Sequence, residues 1–238
     1  MKQLTRISAL AAGSALALGL LAGPAAAAGA DPTTTPGSGS GNGLTAVKAL
    51  AAARVNGRIA DIKTLQTAVS AAANLTSSDK STLDTLLGND LTAMNGLSTK
   101  MAGETTVSAV RADEVTMVDD YRIYLLVDPK VHLSIVFDDE TSVITRLQGV
   151  YSTLSADLTK AGGGTSAEQS ELADMQTQIN NAQSALGGRE SALLAIQPGA
   201  DASAISGQVK PLRTTAQGIR KDLGQAVADA KDIRGALK

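Results

Sequence analysis

The sequence predicts an all-α fold, an elongated antiparallel bundle of long helices in coiled-coil-like contact, and three observations predict it. Apolar residues recur at seven-residue spacing, or in steps of three and four, over most of the chain. Hydroxyl and acid residues of the helix-capping kind open several of these stretches. The composition is rich in Ala and Leu, with one Phe, three Tyr and no Trp, which suits thin helix seams better than a thick globular core.

Val55, Ile62 and Val69 lie seven apart, with Leu65 and Ala72 on the intervening seam. This spacing predicts a helix from about 44 to 73, some 45 Å long at ~1.5 Å per residue. Thr76-Ser77-Ser78-Asp79 then reads as a helix start, a hydroxyl cap with an acid three residues on. The next helix carries Leu87, Met94 and Met101 on one seam and Leu83 and Leu97 on the other, with Asp90 interrupting the second. The short break around Leu75 favours an antiparallel hairpin. A third stretch starts near Thr106, with Val110, Met117 and Tyr124, and with Val107 and Tyr121 beside them.

Across 121–137 the signal is divided. Tyr121 to Val127 and Val131 to Phe137 are rich in strand-favouring residues, and Asp128-Pro129-Lys130 between them suits either a hairpin turn or a helix start. Leu133, Leu147 and Leu154, and Val136, Val143 and Val150, continue at heptad spacing downstream. An isolated two-stranded hairpin is marginal, so the expectation is a helix from Pro129 to about Ala161, with a kinked helix or a short extended piece near 121–127.

Gly162-Gly163-Gly164 marks an internal boundary and reads as a hinge. Thr165 and Glu168 form a capping box, and the seam that follows runs Leu172, Met175, Ile179, Ala182, Leu186, Arg189, Leu193, Ile196. Its register passes through Gly187-Gly188, so that pair is expected to soften one helix rather than end it, and Pro198-Gly199 to end it. After a loop to about Gly207, Val209, Leu212, Ala216, Ile219, Leu223, Ala226, Ala230, Ile233 and Leu237 form the cleanest pattern in the chain.

The N-terminus reads differently. Lys2 and Arg6 precede an uncharged run from Ile7 to Leu21, then Pro24 and four alanines, the order of a secretory signal over 1–28. That run is too short for a spanning helix, and no later stretch is long and uncharged enough, so no transmembrane segment is expected after signal removal. Residues 29–43 are a Gly/Ser/Thr/Pro leader expected to be disordered. The organisation is thus signal 1–28, leader 29–43, an N-terminal helical region 44–161 and a C-terminal helical hairpin 165–238.

Composition also excludes. Cysteine is absent, which removes disulfides, thiolate metal sites and thiol catalysis. Without Lys2 and Arg6, 19 basic residues face 23 acidic ones, a net charge of −4 that argues against nucleic acid as a partner. His132, the sole histidine, has no G-x-S-x-G serine motif to serve. Asp138-Asp139-Glu140, Asp119-Asp120 and Asp113-Glu114 lack the loop that calcium sites use, and adjacent acids on a helix point apart, so they read as solvated faces. No P-loop Lys follows the three glycines. No catalytic, metal-binding or cofactor-binding residue is therefore assigned, and no cofactor is expected.

All four aromatic residues, Tyr121, Tyr124, Phe137 and Tyr151, fall in one segment with His132. They are expected either to fill a helix crossing or to offer a Tyr-rich surface, and the candidate docking residues are Tyr121, Tyr124 and His132. Asp119 to Tyr124 and Leu126 to Leu133, a DYR-x-Y…P segment, together with the Ala-rich ending Val209 to Lys238, resemble uncharacterised secreted helical proteins of actinobacteria. The resemblance implies export and a helical fold, and implies no activity. The leading expectation is an exported, non-enzymatic interaction or structural module, extracellular or at the cell envelope, that binds itself or another envelope macromolecule. The alternatives are an extracellular chaperone or carrier with an apolar helical groove, and an enzyme with a site between Tyr121 and Asp139.

Overall fold

Seven α-helices and one π-helical turn make up residues 40–237, the part of the chain described by the computed structural model, and no strand occurs among them. The signal segment and the leader up to residue 39 lie outside the described residues. α1 (Ser40–Ala71) starts within the stretch read as leader. α2 (Ser77–Gly103) is capped by Thr76, whose side chain accepts from the Asp79 amide, and α3 (Val107–Asp119) by Thr106 in the same way. The Thr76 cap stands where the sequence places it, and α3 begins near Thr106 as its spacing predicts, with a cap the spacing does not itself indicate.

α1 and α2 form the expected antiparallel hairpin. Lys48 Nζ near the start of α1 donates to the Ala102 carbonyl at the end of α2, 2.7 Å away, and Lys80 Nζ reaches back to Ser70 at 3.3 Å. Val55, Ile62, Leu83, Leu87 and Met94 are fully buried between them, and Val110, Met117, Ile123 and Val131 complete this first cluster. A fully buried side chain of this size contributes about 1.5–3 kcal/mol, so these seams supply much of what holds the hairpin. Asp90 does not leave the seam: it is buried in it.

The possible extended piece near 121–127 is not there. Ile123–Val127 is a π-helical turn, entered through Arg122 at φ 45°, ψ 43°. The Leu126 and Val127 amides both donate to the Arg122 carbonyl, at 2.8 and 3.3 Å. The strand-like composition has a packing cause. Ile123 and Val127 face the first cluster while Leu126 faces a third, so the turn must be apolar on two sides.

α4 (Asp128–Lys160) begins with Pro129 in its first turn, as expected. It is followed by α5 (Ser166–Leu186), where Thr165 and Glu168 make the capping box. Gly162, Gly163 and Gly164 form the turn between them with φ of 90°, 101° and 69°. A side chain at Gly164 would come within 2.6 Å of Leu158 Cδ2, so only glycine fits.

Gly187-Gly188 ends α5, contrary to the continuous register. Gly188 adopts φ 71° and opens a separate short helix, α6 (Arg189–Ala195). Arg189, expected on the seam, is exposed, while Leu193 and Ile196 are buried. The left-handed glycine turns the chain without a Cβ penalty, and heptad spacing alone does not register such a turn.

α7 (Ala202–Ala236) starts earlier than expected, on an Asp201 cap, and runs for 35 residues. Its seam is buried from Val209 to Ile233. Ile219, Leu223, Ala226 and Ile233 join Leu147, Leu154, Leu158, Met175 and Ile179 in the second cluster. Ile205, Val209 and Leu212 meet Phe137, Leu126 and Leu193 in the third. α4 thus lies against α1 at its start and against α5 and α7 along its length.

Candidate functional site

The three candidate docking residues do not converge. Tyr121 is half-buried against the first cluster. His132 is exposed on α4, with Nε2 3.4 Å from Asp128 Oδ1 one turn earlier. That hydrogen bond raises the imidazole above its ordinary range, with burial opposing. Tyr124 is 53% exposed, and no hydrogen bond, ion pair or ring contact joins it to the other two. Of the remaining aromatics, Phe137 is buried and Tyr151 is half-buried, so most of the aromatic segment serves the helix crossings.

Tyr124 sits on a face of its own. The π-helical turn buries Ile123, Leu126 and Val127 and leaves Tyr124 lying along α1. Its hydroxyl donates to Asp61 Oδ2 at 2.7 Å, and the Arg58 guanidinium stands 5.1 Å from its ring centre. Burial and the Asp61 carboxylate push the phenol up to about 12, so it stays protonated and keeps donating. One turn away Arg54 pairs with Glu114 of α3 at 2.6 Å. Leu50 lies a further turn along α1 and Val115 follows Glu114, and both are exposed. Leu50, Val115 and Tyr124 are all the exposed large apolar residues among those described, and all three belong to α1, α3 or the turn beside them.

The acids behave differently from solvated faces. Asp138 and Glu140, read as a solvent-facing run, are buried and serve different neighbours. Asp138 Oδ2 accepts from the Thr76 amide at 2.7 Å, and burial raises its carboxyl. Half-buried Asp139 accepts from Asn74 at 2.7 Å. Glu140 stands 3.5 Å from Arg220 of α7 with neither oxygen hydrogen-bonded, and burial pushes it up to about 8. Asp90, facing Lys130, is pushed by burial up to about 6. Asp113, expected on a solvated face, is buried and holds Lys100 at 2.5 Å.

Burial also pushes Glu190 of α6 up to about 7, reinforced by Asp138 and Asp79. Asp79, Asp138 and Glu190 are the residues among those described that could hold a metal ion, with one oxygen of each within 4.8 Å of the others. Sequence reasoning took Asp79 only as a capping acid and did not single out Glu190. A signal was present in α4: Ser134 and Asp138 occupy positions three and seven after Val131, polar residues on an otherwise apolar stripe. Elsewhere, Asp174, Gln178, Lys221, Asp222, Gln225 and Asp229 line an open polar recess between α5 and α7.

No protein-family model, curated protein or solved structure matches this chain. Among the described residues no helix is long and apolar enough to cross a membrane.

Proposed function

We propose that this chain is an exported, non-enzymatic helical module that docks another macromolecule of the cell envelope through the face formed by α1, α3 and Tyr124. What carries the reading is the placement of Leu50, Val115 and Tyr124, the exposed large apolar side chains, on these neighbouring elements with Arg54 and Arg58. Tyr and Arg are the side chains that contribute most at protein interfaces, through wide contact area at low entropic cost. Asp61 and Arg58 hold the Tyr124 ring in place before any partner arrives, which lowers the cost of ordering it on binding. A carrier of unfolded chains or lipids would instead need an open apolar seam, and the seam residues here are buried against one another. Co-sedimentation of the mature protein with cell walls of the producing organism tests the reading. Saturable binding by the wild type, lost in a folded Tyr124→Ser variant, is the expected result.

A further inference from the structure

Three carboxylates from distant parts of the chain meet beside α4. Asp79 lies in the first turn of α2, Asp138 in α4 and Glu190 at the start of α6. Like charges gathered this closely are unfavourable unless something neutralises them. The basic residues next in sequence to Asp79 and Glu190 are engaged elsewhere, Lys80 with the Ser70 carbonyl and Arg189 with the Ala185 carbonyl. A second observation points to the same place. Ser134, one turn before Asp138 on the same side of α4, is 0% exposed, and its hydroxyl faces the Glu190 carboxyl without closing a hydrogen bond of ordinary geometry. Glu190 Oε1 is likewise buried and unpartnered.

The acids are also held from behind. Asp138 uses one oxygen for the Thr76 amide, 2.7 Å away, and keeps the other free. Asp79 is tied to Thr76 twice, through the hydroxyl and through its own amide. Anchors of this kind orient ligands around an ion. We propose that Asp79, Asp138, Glu190 and the Ser134 hydroxyl bind one calcium ion, which fastens α6 to α2 and α4. The donors are all oxygen, as a hard cation requires. Oxygens within 4.8 Å of one another can all reach one ion at the ~2.3–2.6 Å calcium distance, and calcium accepts an irregular shell of carboxylates, hydroxyl and water where magnesium demands near-ideal octahedral geometry. Water would complete the shell.

The test uses the full chain, stripped with EDTA and exchanged into chelator-free buffer near neutral pH. Calcium chloride at about 10 mM is expected to raise the melting temperature by about 3–10 °C, saturably, and calorimetric titration to give one ion per chain. Glu190→Gln removes one of the crowded charges, so it is expected to fold without metal and to lose the response. Ser134→Ala should shift the calcium midpoint upward several-fold, while Asp157→Asn, outside the site, should leave it unchanged. No shift in the wild type, or an undiminished shift in Glu190→Gln, overturns the site. An equal response to magnesium overturns the assignment to calcium.

Discussion

Arg122 Nε donates to the Gly199 carbonyl at 2.7 Å, across 77 residues of sequence. The same guanidinium reaches the Ala200 carbonyl at 2.6 Å and Asp119 at 2.7 Å. It therefore ties the end of α3 to the loop before α7. Arg122 is the sole non-glycine residue with positive φ among those described, so the backbone is held in a costly conformation by what its side chain grips.

Arg122→Ala should destabilise the protein by about 2–4 kcal/mol, since charged hydrogen bonds from a mostly buried group are lost while the left-handed backbone remains. Arg122→Gly loses the same bonds but relieves about 1 kcal/mol of backbone cost, and so should be the milder change. Urea unfolding of both variants checks the order. Two wild-type midpoints would mean that the strap contributes nothing.

Asp90 gives the pH dependence its sign. Its folded value, about 6, lies above the ordinary carboxyl value of 3.8. Between those two pH values the folded chain keeps a proton that the unfolded chain has lost, so stability falls as pH rises through that window. Lys130 is the charged group that faces Asp90, and it opposes the shift. Asp90→Asn should match the wild type near pH 4 and exceed it by about 1–3 kcal/mol above pH 6. Melts at both pH values read this directly, and a constant difference would contradict it.

Leu223 lies at the middle of the α7 seam, 5% exposed in the second cluster. Leu223→Asp should cost about 3–5 kcal/mol, because a carboxylate there has no partner waiting. An unchanged circular dichroism melt would refute the packing of α7 against α4 and α5.

The helices were legible wherever seam and cap agreed. Thr76 and Thr165 cap the helices that the sequence assigns to them, a third helix begins near Thr106 as its spacing predicts, and the α7 seam is buried as spaced. Spacing fails where the backbone changes without changing the pattern. The apolar steps through Gly187-Gly188 continue although Gly188 reverses φ, and the run 123–127 looks strand-like because it packs on two sides. The acids were less legible still. Asp79, Asp138 and Glu190 are far apart in sequence, and only the packing of both the start of α2 and α6 against α4 brings them together. The tyrosines divide for a similar reason, since Tyr121 and Tyr124 lie on either side of the π-helical entry at Arg122 and face different surroundings.

Co-sedimentation with cell walls, run on single-site variants of the α1–α3 face, tests the central claim most directly. Tyr124→Ser, Leu50→Ser and Val115→Ser change exposed side chains and should each weaken binding while the fold persists. His132→Ala, on a different helix and paired only to Asp128, should bind as the wild type does. If the three face variants sediment as the wild type does, or if His132→Ala alone abolishes binding, this face is not the docking surface.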